Sequence, residues 1–165
     1  MTDEVDELVA AWQRERPDLD VAPLEVLSRV SRLARHLDRA RAAAFAAHDL
    51  ESWEFDVLAG LRRSGRPYEL TPGRLMQQTL VTSGTMTNRI DRLEARGLVR
   101  RHLDPVDRRS VPVRLTDEGA RLVDDALADL LEKERTILGG LDEEERRSLA
   151  DLLRRLVSPF DAPGQ

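Results

Sequence analysis

Apolar residues return along this chain at two different periods. From Pro23 to about Ala47, Leu24, Leu27, Val30, Leu33, Ala34 and Leu37 recur at i, i+3, i+4 spacing, which predicts a long amphipathic helix. A shorter helix, Val5 to Arg16, precedes it and is ended by Pro17. Ser52 reads as the N-cap of a third helix through about Arg63, stopped by Ser64-Gly65. Thr71-Pro72 places a cap ahead of a proline at the first helical position, predicting a short helix to about Gln78. Thr82 caps the next helix, which ends at Gly97. Beyond Gly97 the period drops to two. Leu98 to Leu103 and Val111 to Leu115 then predict two strands around the polar loop Asp104 to Ser110, a hairpin with a charged tip. Thr116-Asp117-Glu118 opens a long helix to about Leu138, with Leu122, Ala126, Leu127, Leu130 and Leu131 apolar, and Gly139-Gly140 breaks it. A last helix, Asp142 to Val157, carries Leu149, Leu152, Leu153 and Leu156. The expected fold class is mainly α with a small β-hairpin wing: a winged helix-turn-helix over 51–115, between helical regions at 1–50 and 116–165.

The helix after Thr82 is unusual in its first half. Ser83, Gly84, Thr85, Thr87 and Asn88 are all mediocre helix formers. Turning 100° per residue from Met86 puts Ile90 and Leu93 within about 40° of it, as core anchors. Gly84, Thr87, Asn88 and Asp91 then point outward, with Ser83, Thr85 and Arg92 at the flanks. Two readings fit that face. It is either the polar side of a capped surface helix, or short donors and acceptors set to enter a DNA major groove, where the backbone must approach the base edges closely. The preceding turn, the wing and the charge around them favour the second. At the wing tip, Asp107-Arg108-Arg109 is either a solvated turn or a loop in which Asp107 braces an arginine reaching a narrow minor groove. The candidate DNA-contacting set is Arg74, Thr82, Ser83, Thr85, Thr87, Asn88, Arg92, Asp107, Arg108 and Arg109.

Charge changes the picture because it is unevenly spread. The net charge is -5, yet Arg74 to Arg114 holds nine positive and four negative side chains. The flanks are acidic, ten positive against fourteen negative over 1–73 and seven against thirteen over 115–165. A basic island between acidic flanks is the distribution expected when only the middle meets a polyanion. The chain has no cysteine, which excludes thiol redox chemistry, Cys-ligated zinc and disulfides. His36, His48 and His102 lie on separate elements without metal-ligand spacing. No Gly-rich phosphate loop, nucleophile elbow or His-Glu-x-x-His is present, and Asp142-Glu143-Glu144-Glu145 reads as carboxylates complementing a helix dipole, so no enzyme and no cofactor is expected. The acidic, amphipathic N-terminus does not read as a secretory signal and no apolar run reaches the roughly 20 residues of a membrane span, so a soluble, cytoplasmic protein is expected.

These residues resemble the MarR family of bacterial transcriptional regulators. The match runs through Trp53-Glu54-Phe55-Asp56-Val57-Leu58, Leu70-Thr71-Pro72-Gly73-Arg74-Leu75 and Arg92-Leu93-Glu94-Ala95-Arg96-Gly97-Leu98-Val99-Arg100-Arg101. It continues through the wing signature Asp107-Arg108-Arg109 and the exit Val113-Arg114-Leu115-Thr116-Asp117-Glu118-Gly119. The resemblance implies an obligate homodimer, joined by its N- and C-terminal helices, that reads a pseudo-palindromic DNA operator with half-sites about one helical turn apart.

Within the family the chain looks like the urate-responsive subgroup, with an extra N-terminal helix bearing Trp12. Asp56, Arg89 and Arg101 occupy the subgroup's aspartate and arginine places. The resemblance implies that an anionic aromatic ligand such as urate settles among Trp12, Asp56, Arg89 and Arg101, displaces the Asp56 contact and lowers DNA affinity by population shift. Helical geometry places Arg89 about 60° from the buried centre of its helix. Arg101 shares a strand face with Val99 and Leu103. Half-buried arginines need anionic partners, and Asp56 is one candidate for that role. The face of Asp56 also holds Trp53, Gly60 and Arg63, and Trp12 fits a dimer-interface anchor as well as a ligand contact. The alternatives are a response to a phenolic acid or other small carboxylate, and a winged-helix protein-interaction module.

Overall fold

The computed structural model describes residues 2–102 and 111–161. In chain order the elements are α1 (Glu4–Glu15), α2 (Ala22–Ala46), α3 (Ser52–Arg63), β1 (Glu69–Leu70), α4 (Pro72–Thr79), α5 (Ser83–Ala95), β2 (Val99–Arg101), β3 (Val113–Leu115), α6 (Asp117–Ile137), a 3-10 turn (Leu138–Gly140) and α7 (Glu143–Asp161). Three of the expected caps are in place: the hydroxyls of Thr71, Thr82 and Thr116 accept from the backbone N–H of Arg74, Thr85 and Gly119. These bonds satisfy donors that the first helical turn leaves open. Ser52 is not a cap. Glu51 holds that position, and its backbone N–H donates to the Glu54 carboxylate at 2.9 Å.

The sheet has three strands where hydrophobic alternation predicted two. Order is β1-β3-β2, all antiparallel, with Glu69 opposite Arg114 and Val99 opposite Leu115. A two-residue strand has no period to detect, and β1 is held by pairing with β3 alone. The hairpin strands are shorter than expected, and the expected tip lies outside the described residues.

The core joins α2, α3, α4, α5, the sheet and α6. Met86, Ile90 and Leu93 are buried as the wheel predicted. They meet Leu75 of α4, Leu58 and Leu61 of α3, and Val99 and Val113 of the sheet in one cluster. Phe45 and Phe55 stack at 4.1 Å between centroids, locking the end of α2 to α3. The front of α2 departs from expectation, since Leu27 is 57% and Val30 40% exposed. On α7, Leu152 and Leu156 are exposed too. Among the described residues, no helix is long and apolar enough to cross a membrane.

Helix α1 stands apart from the main core. Val5 and Val9 bury only against Val21 and Leu24. Arg29 of α2 binds Asp3 at 2.9 Å and Asp6 at 2.7 Å, and Arg32 binds Glu4 at 2.6 Å. Arg29 holds the Asp3 carboxyl below its ordinary 3.8. Asp6 is held below it by the Asp3 backbone N–H first and Arg29 second. A carboxylate whose value is lowered on folding contributes above its ordinary value and loses that contribution as pH falls through the lowered one. Docking of α1 should therefore weaken as pH drops below about 3.8. In a Trp53→Phe chain, Trp12 emission should shift in that window before the helical signal falls. Coincidence of Trp12 emission with global unfolding would show that these pairs do not govern docking.

Candidate nucleic-acid interface

Helix α4, the turn at Leu80 and helix α5 form the helix-turn-helix. Leu80 takes a left-handed conformation (φ 53°, ψ 43°) that ends α4 and turns the chain toward Thr82. Burial of Met86, Ile90 and Leu93 leaves Ser83, Gly84, Thr85, Thr87, Asn88, Asp91 and Arg92 exposed. Thr82 and Thr85 share a hydroxyl contact at 3.0 Å, and Thr87 bonds back to the Ser83 carbonyl at 3.0 Å. Among the described residues, neither the Ser83 hydroxyl nor the Asn88 amide has a hydrogen-bond partner. Both are free to meet base edges or phosphates. Arg74 is exposed on α4. Asp107, Arg108 and Arg109 lie outside the described residues.

The two flanks of α5 carry opposite charge, each matched by its neighbour. On the side toward α3, Arg92 binds Glu51 at 2.5 Å, and Arg96 binds Glu54 at 2.8 Å. Trp53 lies beneath two guanidiniums, Arg89 at 5.3 Å and Arg92 at 4.8 Å from the ring centroid. The Trp53 indole donates to Glu51 at 2.8 Å, and that bond, followed by Arg92, keeps the Glu51 carboxyl below its ordinary value. On the wing side, Arg101 of β2 binds Asp91 and Glu94 of α5, and its backbone N–H donates to Glu94 at 2.8 Å. Asp91 first, and then Glu94, hold the Arg101 guanidinium more firmly in its charged form.

Arg89 and Arg101 are both half-buried, as expected, but their partners are not the expected ones. Asp56 does not reach either: it is exposed and its closest ion-pair contact is Arg41 of α2 at 3.7 Å. Arg101 turns to carboxylates on its own neighbouring helix because β2 runs directly off the end of α5. Trp12, 49% exposed on α1, contacts none of the other three by hydrogen bond or stacking among the described residues. Sequence reasoning missed the row Glu51, Trp53, Glu54 and its arginines. The spacing Glu51-x-x-Glu54 at a helix start was a readable signal, since acceptors at the cap and three residues on form a capping box.

This architecture defines a winged helix-turn-helix protein. Residues 48–110 match the model of the MarR family. The chain is similar to the HTH-type transcriptional regulator PecS of Dickeya dadantii (strain 3937), 42% identical over 93% of this chain and 92% of the relative. It is similar in structure to a mutant MarR from E. coli complexed with operator DNA, with a TM-score of 0.67 and 25% identity over 84% of this chain and 99% of the other. It also resembles BpsR of Bordetella bronchiseptica, whose DNA binding is regulated by 6-hydroxynicotinic acid, with a TM-score of 0.59 and 30% identity over 78% and 98% of the two chains. The chain belongs to the MarR family: it is a DNA-binding transcriptional regulator, and its relatives are regulators, not enzymes.

Proposed function

We propose that the chain acts in the cytoplasm as a homodimeric repressor that binds a pseudo-palindromic operator and is released by a small anionic aromatic ligand such as urate. The observation that carries the DNA reading is the exposed face of α5, where Ser83 at the positive end of the helix and Asn88 a turn further on present polar groups with no partner among the described residues. Thr82, Thr85, Thr87 and Arg74 extend that surface, and Asp107, Arg108 and Arg109 take the minor-groove role. Residues 51–115 form the DNA lobe, with 1–50 and 116–165 pairing the two copies.

Dimerisation is supported by area. A compact monomer of 18.7 kDa exposes about 8,300 Å² by the usual scaling, and this chain exposes 11900 Å². The surplus, about 3,600 Å² per chain, is surface that the chain leaves uncovered by itself and that a second copy can cover in part. Its apolar share includes a groove of about 630 Å³ between Val26, Val30, Leu33 and Leu37 of α2 and Leu149 and Leu153 of α7.

Ligand release follows from the contacts of Arg101. An anion that takes this guanidinium competes with Asp91 and Glu94, and so loosens the wing strand from the helix that reads DNA. Arg89, Trp12 and Asp56 are the other proposed ligand contacts; they lie apart from Arg101 in the free chain, so ligand binding must draw them together. The regulation of BpsR by an aromatic acid makes a hydroxylated aromatic carboxylate the second candidate ligand. The test is a titration of the dimer onto DNA upstream of its own coding sequence, at two salt concentrations, with and without urate. Binding should weaken steeply with salt. Urate should release the wild type and leave Arg89→Ala bound; Arg101→Ala, which lacks the ion pairs to Asp91 and Glu94, should bind DNA more weakly from the start and respond no further to urate. Release of both variants at wild-type concentration would overturn the pocket, and salt-independent binding would overturn the DNA interface.

A further inference from the structure

Glu54 is the one buried charged side chain among the described residues, 2% exposed, and nothing in the ligand or base contacts uses it. It sits in the first turn of α3 and does two things at once. One carboxylate oxygen accepts the Glu51 backbone N–H at 2.9 Å, and both accept from Nη1 of Arg96 at 2.8 Å. Arg96 is the residue that closes α5, and its Nη2 donates onward to the Asp49 carbonyl at 2.9 Å. The last residue of the recognition helix is therefore tied to the first turn of α3 and to the loop before it.

Stability alone does not explain such a pair. Burying the Glu54 carboxylate costs desolvation that its partner, the partly exposed Arg96, has to offset, and an apolar residue of the same volume usually holds a core as well. What an ion pair adds is direction. The apolar contacts of Met86, Ile90 and Leu93 attract without fixing how far α5 is rolled or tilted, because hydrophobic contact is non-directional. Glu54 holds one flank of the helix, and Arg101 holds Asp91 and Glu94 on the other. From Arg96 back to Ser83 the helix spans roughly 20 Å, so a tilt of about 3° at its end moves the reading residues by roughly 1 Å. Base-edge hydrogen bonds do not survive a displacement of that size.

We infer that Glu54, acting through Arg96, is a positioning residue that sets the orientation of α5 for sequence-specific DNA reading, an inference resting on the DNA reading above. Phosphate contacts tolerate a small tilt because they are electrostatic and long-ranged, whereas base contacts do not. Loss of the tether should therefore lower discrimination and spare non-specific binding.

The experiment compares wild type with Glu54→Gln, which keeps an acceptor for the α3 cap but removes the charge. The probes are a duplex selected by the wild-type dimer from a random library and an unselected duplex of equal length. Amide hydrogen exchange of α5 is measured on the same proteins. Affinity for the selected duplex should fall about tenfold, that for the unselected duplex should stay within about twofold, and exchange in the second half of α5 should rise about tenfold against α4 and α6. An unchanged ratio of the two affinities with α5 exchange as in wild type would overturn the inference, whatever happens to the melting temperature. So would a parallel loss of both affinities. If Glu54→Gln does not fold, Arg96→Lys carries the same test, since a lysine cannot reach Glu54 and the Asp49 carbonyl together. A wild type without preference for any duplex sinks the DNA reading itself, and α5 exchange in the variant still decides whether Glu54 orients the helix.

Discussion

A chain carrying Leu153→Asp should sediment as a monomer and lose at least a hundredfold of its operator affinity. Leu153 lies on α7, none of whose residues is fully buried, and faces the groove opposite Val30 and Leu33 of α2. A second copy covering that groove would enclose the new carboxylate in largely apolar surface, where the cation in the lining, Arg29, is already paired with Asp3 and Asp6, and a buried unpaired charge is strongly unfavourable. Little within the chain opposes the change, because Leu152 and Leu156 beside it are already exposed, so the monomer should keep its helical content. The DNA effect follows from geometry. A dimer gains its second half-site contact at high effective concentration, worth about 10² to 10⁴ in affinity, and a monomer gains none of it. Sedimentation and operator titration of the same sample decide the matter. A Leu153→Asp chain that remains dimeric with wild-type affinity would move the interface away from this groove.

Gly119→Ala should destabilise the fold by about 3 kcal/mol, the upper end of ordinary overpacking, and lower the melting temperature by roughly 6–12 °C. A Cβ on Gly119 would stand 2.1 Å from the Leu98 carbonyl oxygen and 2.9 Å from Leu115 Cδ1. The first of these is backbone and cannot swing aside. That same carbonyl accepts the Thr116 backbone N–H at 3.1 Å and its hydroxyl at 3.0 Å. The start of α6 is thus pressed onto the end of α5 where the chain enters the wing, and only a residue without a side chain lets it approach. Gly84→Ala is the control, since its added carbon meets nothing within 4 Å. Thermal unfolding of the two variants would show whether close approach matters: a Gly119→Ala chain melting within about 2 °C of wild type would mean that α6 shifts at little cost.

The Leu-Thr-x-x-Gly exit from the wing shows how much was legible. Thr116 as cap and Gly119 three residues later were readable as a motif, while the carbonyl that both of them meet belongs to Leu98. The order of the helices, most of their ends, the caps at Thr71, Thr82 and Thr116, and the burial of Met86, Ile90 and Leu93 followed from the sequence by itself, although the run of α7 past Val157 to Asp161 did not. The exposed polar face of α5 followed too. Each depends on neighbours within one or two turns of helix, where spacing dictates geometry. The two-residue strand β1 did not, because its only cause is the strand beside it.

The partners of the charged side chains were likewise beyond local reading. Arg101 meets Asp91 and Glu94 and not Asp56, while Glu54 finds Arg96 from 42 residues away. Nor could the apolar stripes of α2 and α7 show that Leu27, Val30, Leu152 and Leu156 stay uncovered within the chain. A hydrophobic period says that a face is to be buried and is silent about what buries it. The sequence determined which elements form and which residues each would turn inward or outward. The tertiary structure alone decided which faces and charges meet, because that depends on how the chain path brings distant segments together.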